Sequence, residues 1–138
     1  MKREEIRAFL KAGVDALTQH TRFNSGRISE FAAARNNDYP FVWSEPLSIT
    51  GNVWNVSMLI AGIDKIDSKP EQYESIIDEC DLIAQKLLSQ YRIQLADYDK
   101  LVIQNDGREP FIKRNNPDCT SGVILTFEIA DFDPTNVC

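Results

Sequence analysis

The stretch Ser68–Arg92, SKPEQYESIIDECDLIAQKLLSQYR, decides the fold more than any other part of the chain. Its apolar residues recur at intervals of three and four, which is the spacing of one face of an α-helix. Ser68 precedes Glu71 by three residues and Pro70 stands between them, a pattern typical of a helix start. The sequence therefore predicts a helix from Pro70 to Arg92 that Ser68 caps. The residues of its apolar stripe are Tyr73, Ile76, Ile77, Cys80, Ile83, Ala84, Leu87, Leu88 and Tyr91.

The segment before this helix, Asn52–Ile63, predicts a long strand. Its large apolar side chains alternate with polar ones, so they share one face of an extended chain. The second half, Leu59–Ile63, is apolar on both faces. This pattern predicts a central strand that a helix covers on one side. The alternating residues are Trp54, Val56, Met58 and Ile60.

The two ends of the chain complete the predicted fold. A helical stripe of Ile6, Phe9, Leu10, Val14 and Leu17 predicts an amphipathic helix over residues 2–19. Near the C-terminus, the turn residues Asn105, Asp106 and Gly107 predict a hairpin between Leu101–Gln104 and Pro110–Lys113. Gly122–Asp131 alternates again and predicts a last strand. The chain 1–138 is thus predicted to be a single α+β domain, a mostly antiparallel sheet with two helices packed on one face.

Composition and motifs exclude several functions. The chain has 21 acidic and 15 basic residues, so bulk attraction to nucleic acid is not expected. The glycines do not cluster into a phosphate-binding loop, and His20 is the single histidine. Cys80, Cys119 and Cys138 are too widely spaced for a zinc set and are expected to be free thiols. Residues 1–20 also lack the uninterrupted apolar core of a secretory signal peptide or a membrane-spanning helix. We therefore expect no catalytic residues, no metal and no cofactor.

The segment Arg22–Pro46 gives a mixed pattern, in which only Phe41–Glu45 favours a strand, limited by Pro40 and Pro46 or placed by them at a sheet edge. Arginine and aromatic residues are concentrated there. These residue types are enriched in protein interfaces, although an ordinary core and surface would look similar. The candidate subunit-interface residues are Arg22, Arg27, Phe31, Arg35, Tyr39, Phe41 and Trp43.

Acidic turns offer an alternative chemistry. Asp64 and Asp67 follow the long strand, and Asp131 and Asp133 follow the last one. Carboxylates at such positions can hold a hard cation such as Mg²⁺ or Ca²⁺. They are also ordinary residues of solvated turns and helix starts. A metal-dependent enzyme that uses these turns is therefore kept as one hypothesis.

The order of elements resembles a known group of proteins. This order is an N-terminal helix, a strand with a tryptophan at Val53–Ile63, a capped helix at Tyr73–Tyr91, a hairpin, and the closing stretch SGVILTFEI from Ser121. From about Thr50 onward it is similar to the tail terminator and tail completion proteins of tailed phages and prophages, which include head-tail connectors. The resemblance rests on the order of elements and on no short motif.

The resemblance implies a structural protein of the virion. Such a protein assembles with itself into a ring, commonly a hexamer, at the tail end or neck, and contacts tail tube or neck proteins. It is present in the host cytoplasm during assembly, has no membrane partner, and meets DNA only as a duplex that passes through the ring. A net charge of −6 suits a channel along which DNA slides without sticking. The alternative from the residues alone is a small cytoplasmic protein- or ligand-binding module that uses Arg22–Pro46.

Overall fold

A computed structural model describes residues 3–17, 22–25, 41–44, 48–51, 53–65, 67–96, 101–115 and 119–131. None of the helices in these ranges combines the length and apolar character needed to cross a membrane. The elements are α1 (Arg3–Asp15), β1 (Arg22–Ser25), β2 (Phe41–Ser44), β3 (Ser48–Thr50), β4 (Val53–Ile63), α2 (Pro70–Leu95), β5 (Leu101–Asn115) and β6 (Cys119–Asp131).

The strands form one sheet in the order β1-β2-β4-β6-β5, and β3 pairs with β4 beside β2. Every pairing is antiparallel except that of β1 with β2. β4 and β6 form the centre of the sheet, and their pairing is continuous from Val53 opposite Ala130 to Ile63 opposite Thr120. The predicted α+β class, with two helices against a mostly antiparallel sheet, is confirmed.

The main core lies between the helices and one face of the sheet. The alternating residues predicted on β4 are buried there, opposite the alternating residues of β6. The predicted stripe of α1 is buried as well, with Leu17 half-buried at its end. On α2 the burial runs from Cys80 to Leu95, and Ile76 and Ile77 pack at its margin. Both predicted amphipathic helices therefore bury the face that their periodicity indicated.

The two helices are joined through Tyr91. Its ring is fully buried, and its hydroxyl donates a hydrogen bond of 2.8 Å to the carbonyl oxygen of Leu10. Phe9 and Phe127 flank the ring at centroid distances of 5.2 and 5.6 Å. Gly13 leaves the space that this ring fills, since a Cβ atom there would lie 2.1 Å from Cε1 of Tyr91. Gly13 thus permits the close approach of α1 and α2.

The second face of the sheet carries a smaller apolar cluster. Trp43, Leu59, Ala61 and Phe111 are buried in it, and Ile124 packs against them half-buried. This cluster explains why the second half of β4 is apolar on both faces. Trp43 comes from β2, which pairs with Met58–Ala61 of β4, so the strand register places it beside Leu59.

The predicted hairpin around Asn105–Gly107 is wrong. Residues 101–115 form one strand, β5, that pairs with β6 on both sides of this point. The ladder skips from Gln104 to Gly107, and Asn105 has a φ of 52°, so the turn-forming residues make a β-bulge. A second irregularity follows Phe111. The hairpin is instead formed by β5 and β6, and the pair next to its turn is Asn115 opposite Cys119.

Three smaller predictions are also corrected. The N-cap of α2 is Lys69 and not Ser68. The Lys69 amide donates a 3.0 Å hydrogen bond to Oε1 of Gln72, which is one half of a capping box, and the Gln72 amide donates to the carbonyl oxygen of Lys69 at 2.9 Å. The helix also continues to Leu95. The strand Phe41–Ser44 does not lie at a sheet edge, because β1 pairs with its free side. The mixed pattern of the preceding segment did not predict β1.

Candidate functional site

The strand register defines two opposite ends of the sheet, which are named here the Asp64 end and the Ile93 end. At the Asp64 end, β4 and β5 finish and α2 begins. At the Ile93 end, β4 and β5 begin and α2 finishes. The helix runs antiparallel to β4, since Gly62 lies beside Ile76 whereas Met58 lies beside Tyr91. Surface features are therefore assigned to one end or the other.

Asp64 is held in place by hydrogen bonds at the end of β4. Its Oδ2 accepts a 2.6 Å hydrogen bond from Oγ of Ser121, and its Oδ1 accepts one of 2.7 Å from the amide of Lys65. Its own amide donates to the carbonyl oxygen of Cys119 at 2.8 Å. These bonds tie the end of β4 to the start of β6, so a half-buried carboxylate is held in one position.

A cleft of about 320 Å³ opens beside this carboxylate. Ile63 and Ile76 supply apolar walls, and Ser68 and Gln72 add polar groups from the start of α2. The cleft is large enough for an aliphatic side chain and not only for a water molecule. Sequence reasoning did not predict it, because it depends on how α2 returns across the end of β4.

The acidic turns do not form a metal site in the part of the chain that the structure describes. The carboxylate of Asp64 accepts a hydrogen bond from Ser121, and Asp67 is exposed. Across those residues there is no group of three or more His, Cys, Asp or Glu side chains that could hold a metal. Asp133 lies outside the described residues, as does His20, and the side chain of Asp131 is not described.

The interface residues predicted from Arg22–Pro46 divide into two groups. Arg22 lies in β1, while Phe41 and Trp43 lie in β2. Trp43 is buried in the second apolar cluster of the chain itself, and the side chains of Arg22 and Phe41 are not described. The interface assignment remains a prediction. Arg27, Phe31, Arg35 and Tyr39 lie outside the described residues.

Exposed aliphatic side chains mark both ends of the molecule. Ile93 on α2, Val102 on β5 and Ile49 on β3 lie at the Ile93 end, and Ile93 is 66% exposed. Ile63 and Ile112 lie at the Asp64 end, and Leu82 lies midway along α2. Val102 alternates with the core residues Leu101 and Ile103, so it lies on the sheet face away from the helices, whereas Ile93 lies on α2. The amphipathic pattern alone did not identify these residues, because their position relative to the ends follows from the register.

A polar groove of about 280 Å³ lies on the sheet face away from the helices. Asn55 donates to the hydroxyls of Ser48 and Thr50 at 3.3 and 3.2 Å. Asn105, turned outward by the bulge, donates to Oε1 of Glu128 at 2.5 Å. These amides and hydroxyls already bond one another, so the groove links β3, β4, β6 and β5 as a structural network.

The outer strand β5 is also tied to α2 by two ion pairs. Arg108 contacts Asp81 at 2.9 Å, and Arg92 contacts Asp106 at 3.3 Å. The bulge at Asn105–Asp106 brings Asp106 to the helix side. Pro110 and the two irregularities interrupt the ladder-forming edge, a common protection against unwanted strand pairing. The edge of β5 is therefore not a continuous template for another strand.

Cys80 is a core residue and not a reactive thiol. It is 1% exposed, and burial together with the charge of Glu79 raises its pKa to about 12. A thiol with that pKa has almost no thiolate at neutral pH, and the thiolate is the nucleophile. Burial likewise raises the pKa of Tyr91. Both groups therefore serve packing, in agreement with the prediction for Cys80.

No protein-family model matches the sequence, and no curated protein matches it at a significant level. The function is accordingly inferred from the residues and geometry of this chain.

Proposed function

We propose that this protein is a structural component of a phage virion, a tail terminator, tail completion or head-tail connector protein that acts by ring oligomerisation and catalyses no reaction. One observation carries the proposal: aliphatic side chains are exposed at both ends of a rigid protomer, on elements that the core holds in place. A protein that assembles with copies of itself in a ring needs a contact surface on each of two sides.

The order of elements supports the same proposal. From Thr50 onward the chain has a long central strand with a tryptophan, a capped helix and a β-hairpin whose second strand is the closing stretch, so most of the order on which the resemblance to tail terminator proteins rests is present. Two ion pairs join α2 to β5, and a hydrogen bond joins the end of β4 to the start of β6, so these elements are tied together before assembly. Rigid, pre-formed surfaces lower the entropy lost on association.

The proposal is tested by the mass of the purified chain as a function of concentration. Sedimentation velocity from micromolar to near-millimolar protein is expected to show a discrete assembly several times heavier than the 15.7 kDa protomer. A single closed species, and not a growing series, is the expected result because rings close. A chain that sediments as a monomer throughout this range, with tail tube or neck protein absent or present, contradicts the proposal.

A second candidate is a small ligand-binding module, and the cleft beside Asp64 favours it. Its volume of about 320 Å³ lies at the lower end of the range for small-molecule sites, which combine apolar walls with a few polar groups. A monomeric chain whose NMR signals shift at the cleft residues on addition of one small-molecule class supports the module. A chain that assembles and binds no small molecule there supports the structural protein.

A further inference from the structure

The bulge in β5 contains the one Asp-Gly dipeptide of the sequence, Asp106–Gly107. An aspartate before a glycine is the pair in which a side-chain carboxyl group reacts most readily with the main chain, because glycine has no side chain to shield its amide nitrogen. A regular strand or helix prevents this reaction by holding the main chain in one conformation. Three observations indicate that the fold does not prevent it at Asp106.

First, the pairing between β5 and β6 omits this point of the strand. The register passes from Gln104 directly to Gly107, so Asn105 and Asp106 have no Cα partner in it. Asn105 also has a φ of 52°, in the left-handed region, which regular strands do not use. Rotation of the main chain at Asp106 therefore breaks no pair of the ladder, and it requires less local opening than rotation elsewhere in β5.

Second, the carboxylate of Asp106 is open to water and weakly held. Its side chain is 41% exposed, and its Oδ1 lies 3.3 Å from Nη2 of Arg92, whose side chain is 52% exposed. Exposed ion pairs of this kind contribute little to stability. The carboxylate is therefore free to leave Arg92 and approach the amide nitrogen of Gly107.

Third, the bulge can accommodate the product of the reaction. Attack of the Gly107 nitrogen on the side chain of Asp106 leads to a main chain that is longer by one carbon atom. In a regular ladder this extra atom would shift every following pair. Here two unpaired residues already separate Gln104 from Gly107, so the pairs that begin with Gly107 opposite Thr126 can keep their register.

We propose that Asp106 is a site of spontaneous isoaspartate formation in the folded chain. The amide nitrogen of Gly107 attacks Cγ of the Asp106 carboxyl group. A C–N bond forms and a C–O bond breaks, and one water molecule leaves with a carboxyl oxygen and the amide proton, which closes a five-membered succinimide. A solvent water molecule then adds to the main-chain carbonyl carbon of Asp106 and breaks its bond to nitrogen. The main chain now passes through Cβ and Cγ, the former α-carboxyl group is a free carboxylate, and the mass of the chain is unchanged.

The conversion removes one of the two ion pairs between α2 and β5. The new carboxylate is attached directly to Cα, so it is one carbon atom shorter than the side chain that reached Arg92. Arg108 and Asp81 keep the other pair, at 2.9 Å. The inference is independent of the proposed ring, because it depends only on the bulge within one chain.

Peptide mapping of the purified full chain after incubation at neutral pH and physiological temperature tests the site. Electron-transfer fragmentation distinguishes isoaspartate from aspartate at a given position. Asp81 is the matched internal control, since it is also ion-paired between α2 and β5 but precedes Leu82 within a helix. Isoaspartate is expected to accumulate at Asp106 and not at Asp81. A sample kept unfolded in urea gives the rate at Asp106 without the fold.

Two variants test the ring closure and the ion pair separately. Gly107→Ala places a methyl group beside the attacking nitrogen and is expected to slow the accumulation several-fold. The added Cβ would lie 3.3 Å from Oγ1 of Thr126, so a thermal melt checks that this variant is folded. Arg92→Gln releases the carboxylate and is expected to speed the accumulation by up to about fivefold, which is the equivalent of one exposed ion pair.

The folded wild-type chain decides the proposal. If it contains no isoaspartate at Asp106 when the unfolded sample has converted, the bulge protects the site and the proposal is overturned. Equal accumulation at Asp106 and Asp81 overturns the role of the bulge. A rate that Gly107→Ala leaves unchanged overturns the ring closure through the amide nitrogen of residue 107.

Discussion

Gly13→Ala is the substitution that most directly probes the packing of the two helices. In an exposed helix this change stabilises the protein by about 1 kcal/mol, because alanine has the higher helix propensity. Here the added methyl group would lie 2.1 Å from Cε1 and 2.7 Å from Cδ1 of Tyr91. The ring has no free space to move into, since Phe9 and Phe127 flank it and its hydroxyl is bonded to Leu10.

The magnitude follows from two opposing effects. Overpacking a core costs about 1–3 kcal/mol, and displacing the ring weakens a buried hydrogen bond that contributes about 1 kcal/mol. After subtraction of the gain in helix propensity, Gly13→Ala is expected to lower the free energy of unfolding by about 2 kcal/mol. For a chain of this size that corresponds to a fall in melting temperature of roughly 6–8 °C.

Urea denaturation followed by circular dichroism measures this change. Ala12→Gly, at an exposed neighbouring position, is the control for helix propensity and should cost about 1 kcal/mol. In a Tyr91→Leu background the clash disappears, so Gly13→Ala should become neutral or stabilising there. If Gly13→Ala stabilises the otherwise unchanged chain, the crossing of α1 and α2 at Tyr91 is wrong.

Three further predictions concern the core, the Asp64 end and the pH dependence of stability. Leu87→Asp should unfold the domain, because Leu87 is fully buried, whereas Ile77→Asp should cost less stability because Ile77 is half-buried. Thermal melts compare the two variants, and an unchanged melting temperature for Leu87→Asp would contradict the assignment of Leu87 to the core. Asp64→Asn should lower the free energy of unfolding, measured by urea denaturation, by about 1–3 kcal/mol, because Ser121 loses its charged acceptor. Asp67→Asn, at an exposed position, should stay within about 0.5 kcal/mol of the wild type. Equal effects of the two substitutions would contradict the role of Asp64 in joining β4 to β6. The raised pKa of Cys80 predicts that its contribution to the free energy of unfolding is constant below about pH 9 and falls as the pH rises toward 12, because the thiol ionises first in the unfolded chain. Cys80→Ala should reduce this fall in pH-dependent denaturation. A pH profile identical to that of the wild type would show that burial does not raise the pKa of this thiol.

The elements with strong periodicity could be predicted from the sequence because their burial pattern is local. The stripe of α2 and the alternation of β4 each repeat over several turns or residue pairs, and both are confirmed. Local signals failed where one residue type suits two structures. Asn105 adopts a positive φ in a bulge as readily as in a turn, and only the pairing of β5 with β6 distinguishes these cases.

The candidate site was less accessible to sequence reasoning. The carboxylate of Asp64 was recognised, but its bond to Ser121 spans 57 residues and depends on the β4–β6 register. The cleft depends on the path of α2 across the end of β4 in the same way. Ile93 belongs to no predicted stripe, and its exposure at one end of the molecule becomes meaningful only when the opposite end is known.

Electron microscopy of the purified wild-type chain tests the central proposal most directly. Negative-stain images at a concentration where sedimentation detects the assembled species should show rings with a central opening, in which each protomer contacts two neighbours. Class averages with a single rotational symmetry are the predicted result. Compact particles of protomer size, or two-fold pairs without an opening, would contradict it.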